Sequence, residues 1–145
     1  ILTTIQTTPR RRHEPIHLPY KVPSLLQKAG VQFCISTDYG YPLDGHVRTL
    51  PNEAMRAITW GLSKQEAMRA ITLSAAEILG IDDLVGSLEP GKDATFFISE
   101  TDPMLIETNP IKAYIRGREI DLSDRQKMLW EKYKERYKRM GKMLK

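Results

Sequence analysis

The chain has 145 residues, 41% hydrophobic and 28% charged, with a mean hydropathy of −0.41 and a formal net charge of +4. This is the profile of one soluble domain with enough apolar material for a single core. No run of eighteen apolar residues and no charged-apolar-small leader occurs, so neither membrane insertion nor export is expected, and the lone Cys34 fits a reducing, cytoplasmic setting.

In chain order, the opening "ILTTIQTT" reads as a strand near residues 1–8; starting on Ile rather than Met, it suggests a start that is not natural, whether a cut from a longer protein, a processed form or an engineered one. Next, "RRRHEPIHLPY" contains H-E-P-I-H at 13–17, which satisfies the H-E-x-x-H pattern of zinc peptidases. That chemistry requires a helix, so that His13 and His17 face one ion with Glu14 between them. Pro15 inside the motif and Pro9 and Pro19 around it each remove an amide donor and bias the preceding residue toward extended backbone. A basic, proline-broken loop is expected instead.

The stretch "VPSLLQKAG" predicts a short helix near 23–29 with Gly30 as its stop, and "VQFCIST" a strand at 31–37. Strand, helix, strand implies a right-handed βαβ unit with parallel pairing. The heptapeptide E-A-M-R-A-I-T then occurs twice, at 53–59 and 66–72. On one continuous helix, thirteen residues would turn the copies by roughly 220°, so two helices are expected, near 52–61 and 64–72. Gly61 closes the first, and Ser63 with Glu66 forms a capping box for the second. Ser74 with Glu77 repeats that signal for a third helix near 74–79.

From residue 84 the pattern changes to a Gly/Pro turn and strand in "GSLEPGKDATFFIS", then strand, Arg-Gly turn, strand in "NPIKAYIRGREIDL". From Ser123 onward the chain is a basic amphipathic helix with nine Lys or Arg against three acidic residues. Trp130, Tyr133, Tyr137, Met140 and Leu144 recur there at alternating three and four residues, a narrow seam of coiled-coil type. Fewer than three heptads make docking on the chain's own body the expectation. The organisation expected is therefore 1–83, 84–122 and 123–145.

Strand 31–37 ends in Ser36-Thr37-Asp38 before the turn-rich "YGYPLDGHVRTLP". A carboxylate at the C-terminal end of a parallel strand is placed where α/β architectures collect reactive groups. On position alone Asp38 reads first as a helix or turn cap and only second as a reactive group.

The segment "ITLSAAEILGIDDLVGSLEPGKDATFFI", with "TDPM" and "AYIRGREI" after it, resembles the C-terminal part of the amidohydrolase superfamily, in the imidazolonepropionase-like branch. Gly86 to Ala94 carry the closest match. Leu73-Ser74-Ala75-Ala76 stands where Asn-Pro-Ala is usual, and Thr95 where a second Asp is usual. The resemblance covers roughly 20 to 122 and implies an α/β chain: the last one or two βα units of a TIM-type (β/α)8 barrel, then strands of a small β-sandwich and a terminal helix.

The resemblance further implies hydrolysis of non-peptide C–N bonds, cyclic amides included, by metal-activated water. Asp38 takes the role of metal ligand and proton shuttle, with Cys34 and Ile35 buried beneath it. The cofactor implied is a divalent metal, zinc first, and the substrate a small molecule. The family's His-x-His has no counterpart among His13, His17 and His46, which are assigned to the rim as substrate contacts. A whole barrel needs at least about 200 residues, and a catalytic zinc about three protein ligands, so this chain alone is expected to be an inactive portion of the enzyme. The alternative is an interaction module whose basic helix binds a partner helix or nucleic acid. Membrane contact is not expected, nucleic acid is disfavoured, and self-association through strand edges or the terminal helix remains open.

Overall fold

The computed structural model describes residues 2–3, 12–37 and 49–141. Strand β1 (Leu2–Thr3) pairs in parallel with β2 (Cys34–Ile35), in the register Leu2↔Cys34 and Thr3↔Ile35. Helix α1 (Leu18–Lys28) connects them, so the expected βαβ unit is present. Among the described residues, the strand expected at 31–37 is paired at Cys34–Ile35; residues 1 and 4–8 of the other lie outside the described residues.

Helix α1 starts five residues before the expected position, because Pro23 lies inside it and not at its start. A proline there removes one helical hydrogen bond. Its ring is fully buried, which offsets that loss.

Helices α2 (Leu50–Thr59), α3 (Lys64–Ala70) and α4 (Leu73–Leu79) follow. The repeated heptapeptide does fall on two helices, and both copies bury the same pair, Ala54 and Ala57 in α2 and Ala67 and Ala70 in α3. Small side chains at these positions let the helix backbones approach closely. The reversal between them is set by Gly61 at φ 101°: its N–H donates to Ile58 and that of Leu62 to Ala57, each at 3.0 Å, the 6→1 and 5→2 pair of a Schellman stop. Ser63 then caps α3, its hydroxyl accepting from Glu66 N–H at 3.2 Å, as its spacing predicted.

The second capping box does not form. Thr72 precedes α4, Ser74 is buried inside it, and the Thr72 hydroxyl donates back to Met68 at 2.7 Å. Only two residues separate α3 from α4, too few for Ser74 to stand outside the helix. Glu77 is instead taken by Arg69 at 2.5 Å and Gln32 at 2.9 Å, tying α3 and α4 to the chain just before β2.

The core joins Phe33 and Ile35 to the Ala pairs, Leu62 and Met104. Met104 belongs to "TDPM", and a local turn aims it inward: its N–H donates to Asp102 Oδ1 at 3.1 Å, while the other carboxylate oxygen pairs with Lys64 at the start of α3. The Lys64 side chain, followed by the Met104 amide, holds the Asp102 carboxyl below the usual carboxylate range. Its folded value is depressed, so the contribution to stability is present above about pH 4 and fades as pH falls through that range. Asp121, held low by the hydroxyl and amide of Ser123, acts in the same window. Melting curves from pH 6 down to about pH 3 should therefore fall less steeply for Asp102→Asn than for the unmodified chain. Parallel curves would refute the linkage.

Strands β3 (Phe96–Ser99), β4 (Pro110–Ile115) and β5 (Arg118–Ile120) form an antiparallel meander. Phe96 and Tyr114 pair across β3 and β4 with ring centroids 5.0 Å apart. The Arg-Gly turn is a two-residue hairpin with positive φ at both positions, 50° at Arg116 and 75° at Gly117, as the strand twist requires. Between the sheet and α4 lies an apolar groove of about 610 Å³, bordered by Leu79, Ile81, Leu88, Phe97, Ile115 and Ile120.

Helix α5 (Arg125–Arg139) is capped by Asp124, which accepts from Lys127 N–H at 2.8 Å. It does not dock as expected: none of its residues is buried. The linker satisfies itself locally, Asp121 accepting from the amide and hydroxyl of Ser123 at 2.8 and 2.6 Å, and from α5 Lys127 Nζ reaches back to donate to the Leu122 carbonyl at 3.0 Å.

Candidate functional site

Parallel strands finish on the same side, and the ends of β1 and β2 define the candidate site. β2 leads through the half-buried Ser36 and Thr37 directly to Asp38. Asp38 and His46 lie outside the described residues. The base leading to Asp38 is firm: Cys34 and Ile35 are both almost fully buried, as anticipated. Burial pushes the Cys34 thiol above its ordinary value, which keeps it protonated and makes it a packing residue rather than a nucleophile.

His13 and His17 sit in turns before α1 and not on a helix, so H-E-P-I-H is not a zincin pair. His13 is exposed. His17 stands at the N-cap of α1 and stacks on Trp60, with centroids 5.5 Å apart and planes 8° from parallel. Tyr20 also stacks on Trp60 at 5.9 Å, and Lys21 Nζ lies 5.7 Å from the same ring. Ser24 lies close enough to the Trp60 carbonyl to donate to it, at 3.2 Å. These contacts fix the start of α1 against the end of α2.

Trp60, inside the helix expected near 52–61, is not singled out by the sequence. Its only signal was position, a large aromatic immediately before the Gly61 stop, where a side chain can reach sideways to a neighbouring helix.

Among the described residues, no three His, Cys, Asp or Glu come together in a way that could hold a metal ion. The described part of the chain therefore does not fit a divalent metal by itself. The conspicuous loop at 84–94 is structural. Asp93 N–H donates to Leu84 at 2.8 Å, and Lys92 reaches Ser87 at 2.7 Å, closing the loop on itself, while Gly86 is pressed against α4.

An α/β chain with a parallel strand pair, a helical layer and a separate meander agrees with what family comparison finds. The amidohydrolase family model matches residues 20–123, and the chain belongs to that family. It is 38% identical over 72 residues to imidazolonepropionase from Shewanella baltica (strain OS185), a match covering 50% of this chain and 18% of that protein. The imidazolonepropionase of Shewanella oneidensis matches to the same extent. The chain thus spans less than a fifth of the length of these curated relatives.

Among solved structures, an amidohydrolase from Thermotoga maritima MSB8 superposes with a TM-score of 0.65 at 26% identity, over 77% of this chain and 29% of that one. A zinc-bound adenosine deaminase from Xanthomonas campestris shares the fold at a TM-score of 0.53 and 22% identity, over 80% of this chain and 33% of that one. Family membership through 20–123 gives no support to the alternative of an interaction module defined by its basic helix.

Proposed function

We propose that the chain is the C-terminal portion of a metal-dependent amidohydrolase that cleaves non-peptide C–N bonds, cyclic amides among them. The observation that carries this reading is the buried strand β2, paired in parallel with β1 and followed by Asp38 within the span matched by the family. In this reading residues 1–83 supply the last one or two βα units of a (β/α)8 barrel. Residues 84–122 give one layer of a small β-sandwich, and the apolar groove beside it is surface suited to further packing. Residues 123–145 form a separate basic helix.

Asp38 is assigned two tasks, as one ligand of a divalent ion and as the proton carrier. Zinc is the first choice of metal, and when bound it would polarise the scissile carbonyl and lower the pKa of water toward about 7. The Asp38 carboxylate accepts a proton as water adds to the amide carbon. It then delivers that proton to nitrogen as the C–N bond breaks. His13, His17 and His46 are assigned to the rim, facing a small-molecule substrate, and the setting is cytoplasmic.

One carboxylate falls short of the roughly three protein ligands a catalytic zinc requires. The 145-residue chain with added zinc should consequently show no turnover of lactams or hydantoins, while a polypeptide that places the remaining barrel strands before it should be active and lose activity to a chelator. Turnover by the chain alone that disappears in Asp38→Ala would overturn the division of the site. A chelator-insensitive rate in the longer polypeptide would overturn the metal.

A further inference from the structure

Among the described helices α5 alone buries no residue, and its faces are sorted by charge. At about 100° per residue, Leu129, Trp130, Tyr133, Tyr137 and Met140 fall within a single arc of roughly 100°. These five side chains are between 37% and 56% exposed, so the stripe is open along its length. Arg125 and Arg136 border it on one side, and Lys127, Lys134 and Lys138 on the other. Glu131 and Glu135 lie behind the second border, where they pair with Lys134 at 4.0 Å and Arg139 at 2.9 Å. Arg125, Arg136 and Lys138 have no acidic partner among the described residues. Lys134 Nζ rests 4.1 Å from the Trp130 ring centroid, so a border cation already lies over the stripe.

This arrangement selects its partner. A second copy of α5 would bring basic border against basic border, which repulsion disfavours. A packed helical seam is best filled by Leu and Ile. Trp and Tyr instead combine an apolar body with a polar tip, which suits a boundary that is apolar on one side and wet on the other. Basic residues on both sides then require negative charge along that same boundary.

We propose that α5 is a peripheral anchor that lies along an anionic phospholipid surface. Trp130, Tyr133 and Tyr137 sit at the headgroup level, and Arg125, Lys127, Lys134, Arg136 and Lys138 meet lipid phosphates. This replaces the expectation of no membrane contact, which rested on the lack of a spanning segment. Among the described residues no helix is long and apolar enough to cross a bilayer, and a helix lying in the interface does not need to be.

Sedimentation with lipid vesicles tests it. The 145-residue chain should pellet with phosphatidylcholine vesicles containing about one-third phosphatidylserine, and not with pure phosphatidylcholine. Raising salt from about 0.05 to 0.5 M should release it. The double variant Arg136→Ala/Lys138→Ala should bind about 30-fold more weakly, from roughly fivefold per cation. Trp130→Ala/Tyr133→Ala should lose at least about tenfold. Both variants should keep the circular dichroism and melting temperature of the parent, because no residue changed is buried. Failure to pellet with anionic vesicles, equal pelleting with neutral ones, or undiminished binding by both variants overturns the proposal. Displacement from vesicles by poly-glutamate at equal charge would assign α5 to an acidic protein and also overturn it.

Discussion

Asp38→Asn, made in a polypeptide where this chain follows the remaining barrel strands, is expected to lower kcat by about a thousandfold or more with little change in KM. Asn keeps the size of the side chain and one oxygen for coordination but cannot accept a proton, and loss of a positioned proton carrier costs about 10² to 10⁴ in rate. Because the same carboxylate is assigned to the metal, a further decrease comes from weaker coordination. Metal content measured beside kcat separates the two tasks: excess zinc should restore occupancy without restoring the rate. The substitution follows a strand whose Cys34 and Ile35 are buried independently of it, so the variant should fold. A kcat within tenfold of the parent would remove Asp38 from the chemistry and return it to the role of a turn cap.

Gly86→Ala should destabilise the chain by about 3 kcal/mol, and Gly91→Ala by about 1 kcal/mol. Both glycines have nearly the same φ, 100° and 97°, so the cost of placing a side chain at positive φ is common to both. They differ in what a methyl group would meet. At Gly86 it would lie 2.8 Å from the Ala76 Cβ and 3.0 Å from the Leu73 Cα, and at Gly91 nothing lies within 4 Å. Backbone at Leu73 cannot swing aside, so the 84–94 loop must lift from α4. At about 3 °C per kcal/mol for a chain of this size, the melting temperatures should fall by roughly 10 °C and 3 °C. Equal losses would mean that the loop does not depend on its contact with α4. The comparison matters because Gly86 lies within the span matched by the family, and a requirement for glycine there would be one of packing, separate from catalysis.

Much of the secondary structure was legible because it is set by local chemistry. Ser63 three residues before Glu66, Gly61 after an amphipathic run and Arg116-Gly117 between two apolar strands each satisfy backbone groups within a few residues, and each does so where expected. The failures are local rules overruled from a distance. Pro23 reads as a helix start, but its burial places it inside α1. Ser74 and Glu77 carry the same spacing as Ser63 and Glu66, yet Arg69 and Gln32 claim Glu77 and the short link to α3 claims Thr72. The seam on α5 has the period of a docking face, but period does not say whether a matching surface exists.

For the site, the sequence by itself determined which carboxylate follows the buried strand and which family the chain belongs to, since both depend on the order of residues along 20–123. Only the tertiary structure decided that His17 stacks on Trp60, that Met104 completes the core from beyond β3 and that α5 stands open. These last features join residues some 40 to 70 positions apart or depend on what a surface fails to meet. A contact of that kind is selected by packing among alternatives that are locally equivalent, and no short-range rule distinguishes them.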